Sequence, residues 1–249
     1  MKTAMPLPRT MPLPMLGALL LSLWAFPLAR LVADVKPAEV SLLEGKAKKT
    51  SKSGADTELK QGMPLSAGDT VATEAEARLE LRFADRSVLR LGPSAKMQLT
   101  EAHFGGGQAK RQMTAKLFFG NIWAKVTSIV SGDQKYQVET ENAVAGVRGT
   151  TFRVDARADK SVLVRVYAGA VAVAKNVPLY ATGKPGEARR EVAGPEEVSR
   201  DKWEALVGRQ MQIVIAADGS PGHPEPFGED ADKGDKWAEW NTTRDENVK

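Results

Sequence analysis

The sequence predicts an all-β fold of many short strands, arranged as a twisted sandwich, a roll or a solenoid, with a short C-terminal helix and a disordered acidic tail. Short apolar segments recur between turn residues, which is typical of strands in a sheet. Between residues 77 and 83 apolar and charged residues alternate at every position. That period of two indicates a strand with one buried and one solvent-facing side. Strands this short favour these all-β arrangements over βαβ units.

The predicted strands make up a β domain over residues 34–194. The first strand lies near Val40, and residues 46–62, which are rich in Lys, Ser and Gly, are predicted to form a loop after it. The later strands are predicted at residues 70–73, 77–83, 87–91, 96–100, 116–119, 122–126, 136–140, 151–155, 162–166 and 170–174.

The C-terminal region changes in character after Pro195. Apolar residues at helical spacing predict a short amphipathic helix over residues 197–210, followed by a closing strand at 212–216. This unit, residues 195–217, is predicted to pack on the β domain. From residue 218 to 249 the Pro, Gly and Asp content predicts disorder. The helix prediction depends on Trp203, Leu206, Val207 and Met211.

The N-terminal residues 1–33 resemble a secretory signal. Lys2 and Arg9 precede an uncharged apolar run over residues 15–29, which is short for a spanning helix. A cleaved signal would place the protein in the periplasm of a Gram-negative bacterium or outside the cell. An uncleaved one would anchor it to the inner membrane.

Charge is unevenly distributed along the chain. Residues 218–249 contain nine acidic and four basic residues, a net charge of −5, whereas residues 34–217 carry +6. A basic body is compatible with binding to anionic wall polymer or lipid headgroups, or simply with a solvated surface. No nucleic-acid partner is predicted.

The residue types give no sign of an enzyme. The chain has no cysteine, which excludes disulfides, thiolate metal sites and a cysteine nucleophile. Its two histidines, His103 and His223, have no partner at metal-ligand spacing. We therefore predict no catalytic residue, no metal site and no cofactor.

The most specific pattern is an apolar run broken by glycine around one arginine. Gly146 and Gly149 allow the chain to turn sharply, and the flanking β-branched residues favour extended structure. The residues that define this pattern are Gly146, Val147, Arg148, Gly149, Thr150 and Phe152.

With its neighbours, this pattern resembles the FecR family of envelope proteins, named for a ferric-citrate signalling regulator. The resemblance covers residues 40–190 and includes Leu65–Thr73, Ala77–Phe83, Leu117–Gly120, Val147–Thr150 and Tyr167–Val173. It implies a FecR domain and signal transduction through protein binding. The implied partner is the signalling domain of an outer-membrane ferric-siderophore receptor, or an inner-membrane regulator.

Two features depart from the family pattern. Regulators of this family carry a cytoplasmic anti-sigma region before their membrane span, and the 14 residues before the apolar run are too few for one. Where relatives carry Asp-Gly-Ser in a hairpin, this chain has Asp85-Arg86-Ser87, so the turn must tolerate a side chain. Asp159-Lys160-Ser161 repeats the pattern, which indicates either an internal duplication or two hairpins of one type.

Arg148 has two possible roles. It could offer a bidentate donor to a partner carboxylate or wall polymer, or it could hold the corner together by donating to backbone carbonyls. The flanking glycines and valines favour the structural role.

Three tryptophans are candidate binding residues. Trp123 lies on the strand face opposite Ile122 and Ala124, where it could stack on a sugar, seat a partner or lie under the C-terminal helix. Trp237 and Trp240 form a short docking motif in the tail. The sequence thus predicts a non-enzymatic envelope signalling protein, with an envelope scaffold or peptidoglycan-binding module as the alternative.

Overall fold

Strands dominate the structure, as the alternating pattern predicts. The computed structural model describes residues 38–104, 111–127, 134–176 and 204–247, so the predicted signal at 1–33 lies outside the described residues. The strands are β1 (Ala38–Glu44), β2 (Ala47–Thr50), β3 (Asp56–Glu58), β4 (Pro64–Leu65), β5 (Thr70–Thr73), β6 (Arg78–Phe83), β7 (Val88–Leu91), β8 (Lys96–Phe104), β9 (Arg111–Lys125), β10 (Gln134–Glu139), β11 (Ala143–Val147), β12 (Thr151–Ala156), β13 (Val162–Ala168), β14 (Val171–Lys175), β15 (Glu204–Val207), β16 (Met211–Ile215) and β17 (Glu225–Pro226). A 3-10 helix (Glu229–Asp232) and an α-helix, α1 (Lys236–Asn247), follow.

The strands form two sheets that share β9. Sheet A has the order β4-β1-β6-β7-β9-β12-β13-β16-β17, and sheet B has the order β3-β2-β5-β8-β9-β10-β11-β14-β15. Neighbouring strands are antiparallel except for β9 and β10, which are parallel. The predicted all-β class is confirmed.

Strand β9 passes from sheet B to sheet A at Gly120. The sequence predicted two strands here, but one long strand bends at a glycine with φ of +91°. A Cβ at Gly120 would lie 2.3 Å from the Cβ of Ala95. Glycine is therefore required at this bend both for its backbone angle and for the close approach.

The inner sides of both sheets form one hydrophobic core. In sheet A the inward residues meet in register from strand to strand, and each is at most 1 % exposed. Burying a side chain of this size stabilises the fold by roughly 1.5–3 kcal/mol. One such row contains Leu79, Leu91, Ile122, Val154, Val164 and Ile213.

Two local predictions are wrong. The predicted loop at 46–62 contains β2 and β3, which pair with each other. Where the helix over 197–210 was predicted, the described part forms β15 and a turn. Leu206 is 71 % exposed and Val207 is fully buried. Neighbouring residues thus point to opposite sides, which is the period of a strand. The predicted closing strand is confirmed as β16.

The predicted disorder of the tail is also wrong for its described part. Residues 236–247 form α1, and Trp237 and Ala238 are buried against the body. Composition suggested disorder because the tail is rich in Pro, Gly and Asp, but its charges meet opposite charges on distant strands. Among the described residues no helix is long and apolar enough to span a membrane.

The turn at Asp85-Arg86-Ser87 does tolerate a side chain. Arg86 has a φ of +69°, and the Asp85 carboxylate accepts a hydrogen bond from the Ser87 amide at 3.0 Å. The turns at Asp159-Lys160-Ser161 and Asp218-Gly219-Ser220 have the same hydrogen bond and a positive φ at the middle residue. These are three copies of one turn type, and the third has glycine at its middle position.

Replacing Arg86 with glycine should stabilise the protein. A left-handed conformation costs a residue with a Cβ about 1–2 kcal/mol, and the larger unfolded-state entropy of glycine offsets part of that gain. We expect the free energy of unfolding of Arg86→Gly to rise by about 0.5–1 kcal/mol in urea denaturation. The matched control, Gly219→Ala, should lower it. A lower stability for Arg86→Gly would contradict this view of the turn.

Candidate functional site

A row of charged and aromatic side chains crosses the outer side of sheet A. Strand register places these residues directly opposite one another on five successive strands. Every one of them lies on a strand whose other side is in the core, so core packing fixes their positions. We call this set the charged row; it contains Glu80, Arg90, Trp123, Arg153 and Arg165.

The charged row does not neutralise its own arginines. Arg153 and Arg165 lie directly opposite each other on β12 and β13. Like charges at such positions repel. Asp155 bonds Arg153 at 2.7 Å, but it supplies only one negative charge for the two arginines. Further carboxylates have to come from elsewhere in the chain.

The tail supplies them. Residues 229–247, here called the tail segment, contact the charged row, and their contacts follow the order of the strands. Asp232 pairs with Arg165 on β13, and Asp235 pairs with Arg153 on β12 at 2.6 Å.

The C-terminal end of α1 contacts the remaining strands of the charged row. Asp245 lies 2.7 Å from Arg90 on β7 and accepts a hydrogen bond from the Trp123 indole at 3.0 Å. Arg244 donates two hydrogen bonds to Glu80 on β6, at 2.6 and 3.1 Å. The acidic tail and the basic body are therefore electrostatic partners within one chain.

Glu80 is a fully buried carboxylate, although its strand was predicted to have a solvent-facing side. Burial alone would raise its pKa, but hydrogen bonds from Arg244, Ser41 and Arg90 lower the pKa to about 2. The Arg90 side chain beside it is also fully buried and bonds Glu80 at 2.9 Å. Glu80 therefore stays ionised and anchors one end of the row.

All three candidate tryptophans lie at the contact between sheet and tail. Trp123, at 2 % exposure, packs with Trp237 and stacks on Tyr167 with ring centres 4.3 Å apart. Trp237 and Trp240 stack on each other at 5.4 Å. Trp123 lies under a C-terminal helix, although the helix is α1 rather than the predicted one. The docking motif in the tail contacts this chain's own sheet.

Asp235 has two roles. Its carboxylate pairs with Arg153 and also accepts hydrogen bonds from the backbone amides of Trp237 and Ala238, at 2.9 and 3.2 Å. It therefore caps the N-terminus of α1. Burial would raise the pKa of Asp235, but the bond from Arg153 and these amides lower it.

The glycine-containing pattern forms a rigid corner between β11 and β12. Gly149 has a φ of +62°, while Gly146 lies within β11 and makes no turn, contrary to prediction. The Thr150 hydroxyl donates to the carbonyl of Ala170 at 3.1 Å, and its backbone carbonyl accepts from Val126 at 2.9 Å. Val147 and Phe152, on either side of the corner, are buried in the core.

The Arg148 side chain forms no bond within this corner. It is exposed and makes no hydrogen bond or ion pair with any residue that the structure describes. The Arg148 carbonyl accepts a bond from Thr150, but the guanidinium does not hold the corner together.

A comparison with known protein families agrees with the resemblance to the FecR family. Residues 69–172 match the family model described as FecR protein. Over these residues the chain is similar to the FecR family. The match begins at Asp69 in the turn before β5 and ends in β14, a narrower span than the predicted 40–190. It contains the Arg148 corner and the whole charged row but not the tail segment.

Other comparisons are weaker. Two crystal structures of a protein from Parabacteroides distasonis ATCC 8503, assigned as an anti-sigma factor, at 1.65 and 2.50 Å resolution, share 19 % identity with a TM-score of 0.43. The similarity covers 68 % of this chain and 64 % or 63 % of theirs, so it spans less than two thirds of that protein. Similarity at this level assigns no function. No curated protein matches the chain.

The arginines of the charged row were not predicted as site residues. Arg90, Arg153 and Arg165 lie in short strands between apolar neighbours, which suggested only a solvated side. The signal that could have found them is the charge difference between body and tail. It shows that complementary charges exist, but not which residues meet.

Acid should destabilise the protein through Glu80. Its folded pKa of about 2 lies below the ordinary value of 4.5. This contribution to stability is complete above pH 4.5 and is lost as the pH falls toward 2, and it is worth on the order of 3 kcal/mol. The lowered pKa of Asp235 acts in the same direction. Thermal unfolding followed by circular dichroism should show a falling Tm below about pH 4.5.

Glu80→Gln is the control for the acid effect. It should be less stable at pH 7, because Arg90 and Arg244 lose a charged partner, and it should lose less stability on acidification. If the Tm of the two proteins fell equally with falling pH, Glu80 would not be the group responsible for the acid effect.

Two substitutions at Asp235 should separate its roles. Asn keeps a side-chain oxygen for the helix cap but removes the charge facing Arg153, whereas Ala removes both. We expect Asp235→Ala to lower the free energy of unfolding by about 1 kcal/mol more than Asp235→Asn does, because a side-chain cap contributes about that much to stability. Hydrogen exchange of the α1 amides measures this directly. Equal exchange rates in the two variants would mean that the cap contributes nothing.

Proposed function

We propose that this protein is a non-enzymatic regulator in extracytoplasmic signalling, which binds a protein partner in the cell envelope through its FecR domain. The observation that carries the proposal is the exposed Arg148 guanidinium, which is held on a rigid corner without a partner among the described residues. Export through residues 1–33 to the periplasm, with or without cleavage, is part of the same proposal.

The corner suits recognition of a carboxylate. A guanidinium offers a planar pair of donors that matches a carboxylate, and fixing its backbone reduces the entropy lost on binding. Gly149 sets the backbone angle, and the bonds of Thr150 hold the corner to Ala170, just before β14, and to Val126, just after β9. The expected partner group is an Asp or Glu side chain or a chain terminus, as in the receptor signalling domain or inner-membrane regulator that the FecR resemblance implies.

Two ion-paired carboxylates of the described chain, Glu80 and Asp235, do not resemble the general acid of a hydrolase. A general acid in glycoside hydrolysis needs a raised pKa. Glu80 and Asp235 instead have lowered pKa values, because arginines bond to them. These two groups act as ion-pair partners, which supports a binding protein rather than an enzyme.

One surface favours the alternative, an envelope scaffold that binds peptidoglycan or another anionic polymer. Phe118 and Phe119 are 45 % and 48 % exposed at the bend of β9. The amino groups of Lys96 and Lys116 lie 5.8 and 5.7 Å from the Phe118 ring. Exposed aromatic rings between lysines can contact a sugar polymer with negative charges. Trp123, the earlier candidate for this role, is covered by α1.

An affinity capture experiment tests the proposal. The chain from Asp34 to Lys249 is immobilised, incubated with envelope extract and compared with Arg148→Ala and with Arg209→Ala, an exposed turn arginine of β15–β16. Removing a charge-assisted contact at an interface should weaken partner capture by tenfold or more in Arg148→Ala only. Its Tm should change by less than 2 °C, since an exposed side chain without partners contributes little to stability.

Other outcomes would reject the proposed site or function. Capture of the same partner by Arg148→Ala would move recognition away from the corner. Retention of cell-wall material alone, lost on Lys96→Ala and Phe118→Ala, would support the scaffold. A fall of several degrees in Tm for Arg148→Ala would restore its structural role.

A further inference from the structure

The outer side of sheet A is a preformed ligand surface. Arg90, Arg153 and Arg165 are positioned by strands whose inner residues belong to the core, and Trp123 and Tyr167 form a stacked pair between them. None of these positions depends on the tail for its backbone. We call these five residues the arginine face.

The tail segment, in contrast, depends on the arginine face. Helix α1 has only 12 residues, and an isolated helix of that length is marginal in water. Within α1, only Trp237, Ala238 and Asn241 are buried. Most of its other contacts with the sheet are ionic or polar. Release of the tail would therefore also unfold α1, as in binding of a segment that folds on its target.

The fit between tail and face is incomplete. Nη2 of Arg90 and the indole nitrogen of Trp237 are buried without a hydrogen-bond partner in the part of the chain that the structure describes. A donor left unpaired in this way costs about 1–3 kcal/mol. Beside the helix, an open groove of about 260 Å³ is lined by Trp123, Tyr167, Thr242 and Asp245. A permanent core contact normally leaves no buried donor unpaired.

We propose that the arginine face binds an acidic, tryptophan-containing segment of a partner protein, and that the tail segment occupies this face in cis until the partner displaces it. The tail segment already provides the chemistry that this face requires. Asp232, Asp235 and Asp245 meet arginines on three different strands, and Trp237 packs beside Trp123. A partner with this spacing of carboxylates and one indole would match the face equally well.

This inference goes beyond the proposed function, because it uses residues other than Arg148 and adds regulation. The tail competes at an effective concentration in the millimolar range, as expected for a ligand on a short tether. A free segment of equal intrinsic affinity therefore binds poorly until the tail is weakened. Whatever weakens the ion pairs of the tail should open the face.

A labelled peptide provides the test. The probe is a synthetic peptide with the sequence of residues 228–247 and an N-terminal fluorophore, and binding is followed by fluorescence anisotropy at low salt. The proteins are the full chain and a full-chain variant with a weakened tail, Asp232→Asn/Asp235→Asn/Trp237→Ala. We expect the peptide to bind the weakened-tail variant at least tenfold more tightly than the wild type.

Two controls separate the arginine face from nonspecific attraction. A peptide with Asn in place of its three aspartates at 232, 235 and 245 should lose at least tenfold in affinity. Adding Arg165→Gln to the weakened-tail variant should also lower the affinity for the original peptide. The peptide control does not depend on whether a sheet substitution disturbs folding.

The outcomes are distinct. If the weakened-tail variant keeps its β-sheet circular dichroism spectrum but binds no peptide, the arginine face is not an exchangeable site and the proposal is wrong. If the wild type forms dimers that are lost in the weakened-tail variant, the occupant is the tail of a second copy, and the proposal of a different partner is also wrong. Neither result bears on capture through Arg148.

Discussion

The repulsion between Arg153 and Arg165 governs the C-terminal third of this structure. The two side chains are direct neighbours on β12 and β13, and both are mostly buried. While the tail covers it, such a pair is tolerated only when carboxylates neutralise it, because an uncompensated buried charge costs several kcal/mol. Asp155 alone cannot do this. Asp232 and Asp235 complete the neutralisation, which explains why a tail with few apolar residues is ordered on this sheet.

Because the tail binds these arginines, the positive charge of the body does not by itself indicate a surface that binds anions. The sequence has a basic body and an acidic tail, but three arginines of the body are already bound to the tail on the outer side of sheet A. The side chains of Arg90 and Arg153 are at most 9 % exposed, so they offer no surface to an anionic polymer. Sheet B, where Lys96 and Lys116 flank an exposed phenylalanine, keeps its cationic groups available.

Local sequence patterns predicted the strands well because alternation reports which side of a strand faces the core. The inward residues Leu79 and Leu81 and the turn at Asp85 follow directly from such patterns. The pattern around Glu80 could not show that α1 covers the outer side, since the partner Arg244 lies 164 positions away. The prediction of disorder from the composition of the tail was wrong for the same reason, since composition does not show which distant residues a segment contacts. Periodicity failed at Leu206 because a four-residue strand is too short to distinguish the two periods.

Strand β12 connects the corner that carries Arg148 with the outer side of sheet A. It begins at Thr151, directly after the corner that presents Arg148, and two residues later it carries Arg153, which holds the tail through Asp235. Thr151 also lines the cavity beside α1. Energetic coupling between distant sites requires an element whose arrangement both sites influence, and β12 is in contact with both. A ligand at the corner would therefore act on the same strand that places Arg153 opposite Asp235.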